Sequence, residues 1–558
     1  MRIAAVIIAA MAVACARELR SANPNAWLEL ETEHFTLRTD LEEEDARRAV
    51  ADLELIRSAL LATGWHGETT SPARIGVVAL ASGRELREIV PELVEGVAGS
   101  DRFGQRLILV SADGNLLGSE TVKHEVAHAL LHEYLVTHPR WVSEGIACFL
   151  ETLDIDRKNG VALRGQSHWQ RRDWLERDKG RFHNWSVEVM GSGAGFDNAN
   201  GYEFETLSWT LVHWLVDSRP TNFETFLRGL SRGQGMWAAF SAAFPGLTEE
   251  KLAAEMKGYL RYPYPMGKKR FPVKPWTGAV ASRRLPPAEA HAVRAQLFAV
   301  FGELPNRQTK MQDELVLGRA LDAANPLLLA LARNRRDLKL AIDRHPEDWR
   351  SWELWFDENE QDVAAIRRAR DLAPDNAGVL ARLAVAEQAE GKSGLALELA
   401  QRAVAISPGP FELHALATVH EKDGRCAEAL SEAERAVDAL PDRVDARIPG
   451  VLRERITHIT ASCGKNDAIG TAATVDAEPV LKGCRQPIRA FPTASSITVQ
   501  FTIRDDGSVT AVAVGGAYDD RDAGLLRQFV ESCSFEPVLI DGKPHRVQLN
   551  LTLDAFMH

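Results

Sequence analysis

At 558 residues the chain exceeds the length over which one hydrophobic core keeps growing, so about three domains are expected. Hydrophobic residues make up 45% and charged residues 26%, ordinary globular values that exclude disordered and fibrous classes. The formal net charge of −12 is spread along the chain with no long Lys/Arg block, which speaks against nucleic acid as a partner.

The chain opens with MRIAAVIIAAMAVACA, in which Arg2 precedes an apolar run from Ile3 to Ala14. That run is too short to cross a bilayer core of about 30 Å, and the pattern over residues 1–15 predicts an export signal. Two cleavage modes compete. The short segment, with Cys15 following Ala12-Val13-Ala14, resembles a bacterial lipobox, although Ala12 stands where such boxes usually carry Leu. That resemblance implies lipidation at Cys15; ordinary signal-peptidase cleavage near the same small residues is the alternative. No later apolar run is long enough to span a membrane. The expected membrane contact is therefore a lipid anchor only, and the expected location is the periplasmic side of a bacterial envelope, as an outer-membrane lipoprotein. Of the other cysteines, Cys148 and Cys426 fall in helical patterns, where a buried free thiol is the ordinary expectation. Cys463, Cys484 and Cys533 remain, export permits a disulfide among them, and sequence alone leaves the pairing open.

WLELETEHFTLRTD, residues 27–40, alternates as a strand, and residues 42–63 repeat apolar side chains at helical spacing. ARIGVVAL and QRLILVSA predict further strands, so a sheet precedes the helix that begins TVKHEVAH. Residues 202–215 and 251–262 read as helices. RYPYPMGKKRFPVKPW then breaks all periodicity with four prolines and predicts the first domain boundary.

On a helix His124 and His128 project from one face, and Glu125 leans toward the same side. Two neutral imidazoles can then reach one metal ion beside a carboxylate. HExxH alone is only moderately specific, and an amphipathic helix without metal competes with it until a third ligand is found. His132 continues the column but lies about 12 Å along the axis from His124, too far for one ion with bonds of roughly 2 Å. Leu131 and Tyr134 stand where the metzincin extension needs Gly and His. PRWVSEGIACFLE offers a ligand from a second helix: Pro139 can open it, and Glu144 and Glu151 share one of its faces.

HEVAH followed by the W-x-x-EG-x-A helix resembles the gluzincin zinc peptidases, in particular the bacterial peptidase-MA-like proteins. The likeness covers about residues 25–264 and implies a zincin-like domain with a zinc cofactor. It implies His124, His128 and Glu144 as zinc ligands, Glu125 as general base, and Glu151 as the group that orients a ligand histidine. It also calls for an oxyanion donor, for which Tyr202 and His213 in GYEFETLSWTLVHWL are the candidates. Alignment on the helix end places Glu205, not Tyr202, nearest the aminopeptidase tyrosine, and plain helix packing is the alternative for both. Only 15 residues separate His128 from Glu144, fewer than in the best-known gluzincins, so a tight connection is expected. EGVAGSDRFGQRLILV lacks the GxMEN-type loop of the aminopeptidases, which favours endopeptidase action on peptide or protein substrates. Within it RLILV is either a strand to which an extended peptide adds or a buried strand with no ligand role.

Beyond the proline-rich stretch, Gly391 and Gly424, Ala396 and Ala429, and Ala403 and Ala436 are each 33 residues apart. This register resembles the tetratricopeptide repeat and implies an α-helical solenoid over residues 286–460 that binds a protein partner. The last segment, FTIRDDGSVTAVAV, a helix, then FEPVLIDGKPHRV, resembles the C-terminal domain of TonB-type energy transducers over residues 478–556. It implies a small α/β domain; no TonB membrane helix or proline-rich spacer accompanies it. In that fold the helix packs on the sheet, which makes a Cys484–Cys533 bridge the first expectation, with Cys463–Cys484 next and free thiols third. The expected class is thus α+β multidomain, and the expected function a cell-envelope zinc metallopeptidase. The alternative is a non-catalytic envelope scaffold that binds peptides or proteins through its repeats and its TonB-C-like domain.

Overall fold

The computed structural model describes residues 23–553 apart from 65–73, 92–94, 102–104, 113–114, 137, 167, 179–188, 191–200, 260–267, 303, 333–335, 440–450, 453, 457, 460–461, 463–469, 472–478, 485–496, 516–525, 528 and 541. The expected signal, Cys15 and Cys463 lie outside the described residues. Many helices and several small sheets place the chain in the α+β multidomain class. It divides into two units: residues 1–58, 73–126 and 274–359, and residues 59–72, 127–273 and 360–558.

The elements around the candidate site, in chain order, are β1 (Leu28–Glu31), β2 (Phe35–Thr39), α1 (Glu43–Gly64), β3 (Ile75–Leu80), β4 (Gly96–Ser100), β5 (Arg106–Ser111), α2 (Glu120–Tyr134), α3 (Arg140–Glu151), β6 (Asp154–Asp156), β7 (Val161–Arg164), α4 (Trp169–Asp178), α5 (Gly201–Ser218), β8 (Lys269–Pro272), β9 (Ala281–Arg284) and α6 (Pro287–Phe301).

The first unit is built on a six-stranded sheet of order β4-β5-β3-β2-β1-β9. β2, β3 and β5 run parallel, and the outer pairings are antiparallel. Residues 27–40 form a hairpin, not the single strand their alternation suggests. Thr32 turns the chain, its N–H donating to the Phe35 carbonyl at 2.9 Å and its Oγ1 accepting from the Phe35 N–H at 3.2 Å. Alternation continues through such a tight turn, so periodicity does not see it. RLILV forms β5, an interior strand paired with β3 on one side and β4 on the other. Both of its hydrogen-bonding edges are taken, which leaves the second of the two readings, a buried strand to which no peptide adds; among the described residues the edge strands are β4 and β9.

The proline-rich stretch also differs from a plain boundary. Its β8 pairs with β7, and β9, just beyond it, completes the six-stranded sheet against β1. Pro272 is compatible with pairing because β8 is the edge of its three-stranded sheet, where a missing N–H costs little. Next, α6 packs Ala290, Val293, Leu297, Phe298 and Phe301 against Val78, Leu80, Leu107 and Leu109 of β3 and β5. A helix expected to begin the repeat region therefore helps form the core of the sheet.

Asp40, at the end of β2, is fully buried. Its Oδ1 accepts from the Ala81 N–H at 2.8 Å. Burial, with the Glu85 carboxylate beside it, pushes its carboxyl up to about 7. The folded state thus holds this proton more tightly than the unfolded chain. The corresponding stability is fully present below pH ~4 and is lost as pH rises through about 7. Asp40→Asn, which keeps the acceptor oxygen, is expected to match wild type near pH 4. At pH 8 it should be more stable by on the order of 2–4 kcal/mol. Urea unfolding at both pH values checks this, and equal midpoints at pH 8 would remove the assignment.

In the second unit α3 lies against α5 so closely that Gly145 leaves no room for a side chain: a Cβ there would stand 2.6 Å from the Ser208 carbonyl oxygen. Farther along, two antiparallel helix pairs follow one another, Ala377–Ala389 with Ser393–Ile406 and Pro410–Lys422 with Cys426–Asp438. The 33-residue spacing has a physical origin here. Gly391 (φ 80°) and Gly424 (φ 72°) take the left-handed conformation between the helices of each pair. Ala396, Ala403, Ala429 and Ala436 are fully buried. A four-stranded sheet follows, made of Gly470–Thr471, Val547–Leu553, Ile497–Ile503 and Val509–Gly515 in spatial order. Cys484 and Cys533 form a disulfide. Cys426, expected to be a free thiol, is also disulfide-bonded; helical periodicity reports burial but not oxidation state. Cys148 is a buried free thiol.

Candidate metal centre

The two helices that carry the site are buried around most of their circumference. On α2 the half-buried column is Thr121, His124, His128 and His132, and Glu125 beside it is 8% exposed. On α3 nine of the twelve residues are buried; Arg140, Ser143 and Glu144 are left, a single i, i+3, i+4 face. Pro139 caps α3 from an extended conformation, and residues 135–139 alone join it to α2. Two faces that carry polar groups are thereby held by a short connection.

One ring nitrogen each of His124 and His128 and one carboxylate oxygen of Glu144 lie within 4.8 Å of one another. His128 Nε2 stands 3.4 Å from Glu144 Oε2, close to the 3.3–3.6 Å, roughly, that separates donors sharing one zinc in tetrahedral geometry. His128 Nδ1 lies 2.9 Å from Ser143 Oγ. When Nδ1–H donates to that hydroxyl, the tautomer is set and the lone pair falls on Nε2, the nitrogen facing Glu144. Two imidazoles and a carboxylate, half-buried and convergent, fit a divalent zinc ion.

His124 also belongs to a deeper group, in which its ring nitrogen, Cys148 Sγ and a Glu151 oxygen lie within 4.8 Å of one another. A cation already serves that group. Arg171 donates to Glu151 Oε1 from Nη2 at 3.0 Å and from Nε at 3.3 Å. Burial opposes the charge on Arg171, but Cys148, Glu151 and Glu205 outweigh it and hold the guanidinium protonated more firmly than usual. A divalent ion among His124, Cys148 and Glu151 would sit against this charge, whereas the outer set of His124, His128 and Glu144 is open to it. His124 is the residue that the two groups share.

Glu125 is bordered by the edge of the sheet. A Cβ on Gly96 of β4 would meet Thr121 Cγ2 at 2.6 Å and Glu125 Cγ at 3.5 Å, so this glycine is what lets the β4 backbone approach α2 at Glu125. Tyr202, in the first turn of α5, is 43% exposed. Its ring centroid is 5.2 Å from the Arg171 guanidinium carbon, and burial pushes its phenol up from the ordinary value. His213 is 2% exposed. Its Nδ1 hydrogen-bonds the Tyr259 hydroxyl and lies 3.3 Å from Asp217 Oδ2, while Phe149 and Trp209 meet the ring edge-on. The structure therefore places His213 inside the α3–α5 packing and Tyr202 at its open end. Glu205 pairs with Arg171 at 3.2 Å. Sequence reasoning passes over Ser143, Gly145 and Arg171; only Gly145 leaves a signal, as the glycine of the EG pair.

Residues 119–236, from the start of α2 to the beginning of the helix after Gly235, match a family described as "Protein of unknown function (DUF1570)". No curated protein matches the chain.

Proposed function

We propose that this protein is a zinc-dependent metallopeptidase of the cell envelope that cleaves extended peptides internally. The observation that carries the reading is the convergence of His124, His128 and Glu144, with Glu125 beside His124 on the same helix. Zinc, when bound there, supplies a Lewis acid that polarises the scissile carbonyl and acidifies water. The protein's own groups do the rest. Ser143 holds His128 in the tautomer that points Nε2 inward, and Glu151 holds His124. A Glu125 carboxylate oxygen takes the proton of the attacking water and delivers it to the leaving nitrogen. Tyr202, exposed and next to this network, is the proposed donor to the oxyanion.

The substrate would lie along β4. Among the described residues β4 pairs only with β5, and its sequence GVAGS presents small side chains next to Glu125. A peptide adding to that edge gains backbone hydrogen bonds whatever its side chains, and the edge does not demand a terminus. The helix pairs would engage a protein partner, and the last segment would serve as a TonB-C-like module. Export is supported by the Cys484–Cys533 disulfide and the bonded Cys426. No helix among the described residues is long and apolar enough to cross a membrane, which is compatible with anchoring through a lipid at Cys15.

Internally quenched peptides test this reading. A peptide blocked at both ends is expected to be cleaved by the zinc-loaded protein at least as fast as the same peptide with a free amino terminus. Cleavage only of the free-amine peptide would replace endopeptidase with aminopeptidase action. Binding of both without cleavage would leave the scaffold reading.

A further inference from the structure

If Glu151 steers His124, the groups that hold Glu151 bear on the metal centre. Arg171 on α4 is 4% exposed. Its Nε and Nη2 converge on a single oxygen, Glu151 Oε1. Nη2 also donates to Glu205 Oε2 at 3.2 Å, and Nη1 reaches Thr206 Oγ1 at 3.5 Å. The backbone N–H of Arg171 donates to His168 Nδ1 at 3.3 Å, which pins the first turn of α4. One guanidinium thus joins α3 through Glu151 and α5 through Glu205, Thr206 and the Tyr202 ring, from a helix of its own.

We infer that Arg171 is a positioning residue of the metal centre: by holding Oε1 of Glu151 with two N–H groups it sets where that carboxylate stands beside His124. The inference rests on the peptidase reading for the role of His124 as a ligand. Two N–H groups of one planar guanidinium fix the position of Oε1 more tightly than the point charge of an ammonium would. Groups behind a ligand histidine that fix its ring are worth about 10–100-fold in metal affinity. The same guanidinium lies against the Tyr202 ring, so the ligand support and the proposed oxyanion donor share one anchor.

The rival explanation is that Arg171 only holds three helices together. Zinc affinity, measured by competition with a chelator of known affinity, separates the two in a double-mutant cycle, with apo-protein melting as a parallel readout. Arg171→Met and Glu151→Gln are each expected to weaken zinc binding about 10–100-fold. The double variant should be no weaker than the poorer single one, because both remove the same constraint. Arg171→Lys should fall between wild type and Arg171→Met. If Arg171→Met does not fold, Arg171→Lys with Glu151→Gln completes the cycle. The inference is overturned if Arg171 variants melt earlier yet keep wild-type zinc affinity, or if the two losses multiply in the double variant. Wild type that binds no zinc overturns the peptidase reading and takes this inference with it; zinc-binding wild type with unaffected variants overturns this inference alone.

Discussion

Glu125→Gln is expected to lower peptide hydrolysis by roughly a hundredfold or more while zinc stays bound. Glutamine matches glutamate in size and hydrogen-bonding reach, so the 8%-exposed position keeps its packing against the Gly96 backbone. Its amide does not accept a proton, and the step in which a carboxylate oxygen relays a proton from water to the leaving nitrogen is lost. His124, His128 and Glu144 are untouched, so metal content should equal that of wild type. Hydrolysis rates with metal content measured on the same preparation check both halves. Retained activity would remove Glu125 as the base. The scaffold reading expects something else: no hydrolysis by wild type, and peptide binding that the substitution does not alter.

Gly145→Ala is expected to damage the centre without touching a ligand. The new Cβ would lie 2.5 Å from Val212 Cγ2 and 2.6 Å from the Ser208 carbonyl oxygen. A valine rotamer can yield, but the backbone of α5 does not, so α3 must move outward. Overpacking of this kind costs about 1–3 kcal/mol, and the displacement carries Glu144, the adjacent residue, away from His128 Nε2. Sites of this type tolerate shifts of only about half an ångström, so zinc affinity should fall by about tenfold or more. Gly201→Ala, at the start of α5 where no described residue lies within 4 Å of an added Cβ, is the control and should be silent. Thermal melting and chelator competition on both variants decide the matter; a Gly145→Ala protein as stable and as tight for zinc as wild type would show that the close approach is not needed.

The parts of this arrangement that are legible in the sequence are those fixed by local geometry. The four-residue spacing of His124 and His128 needs only a helix, and Pro139 marks the start of the next one. Gly391 and Gly424 stand where the chain must turn with positive φ. The Cys484–Cys533 bridge was reachable only through resemblance to a known fold. What stayed hidden depends on contacts between distant residues or on the order of strands. Nothing local distinguishes β5 as an interior strand from an edge strand, since RLILV reads as apolar in either place. Proline at 272 signals a break, yet an edge strand accepts it. Ser143 and Arg171 look like ordinary helix residues, and each acquires its role from a partner 15 or 20 positions away. The disulfide at Cys426 has no trace in the helical pattern around it.

The central claim is that His124, His128 and Glu144 form one zinc site, and metal stoichiometry tests it most directly. Wild type purified without chelator, or reconstituted with Zn²⁺ and dialysed, is predicted to hold one zinc per chain, and Glu144→Ala to hold far less under the same conditions. Wild type that neither carries zinc nor takes it up, or a Glu144→Ala protein that binds it as tightly as wild type, would contradict the account.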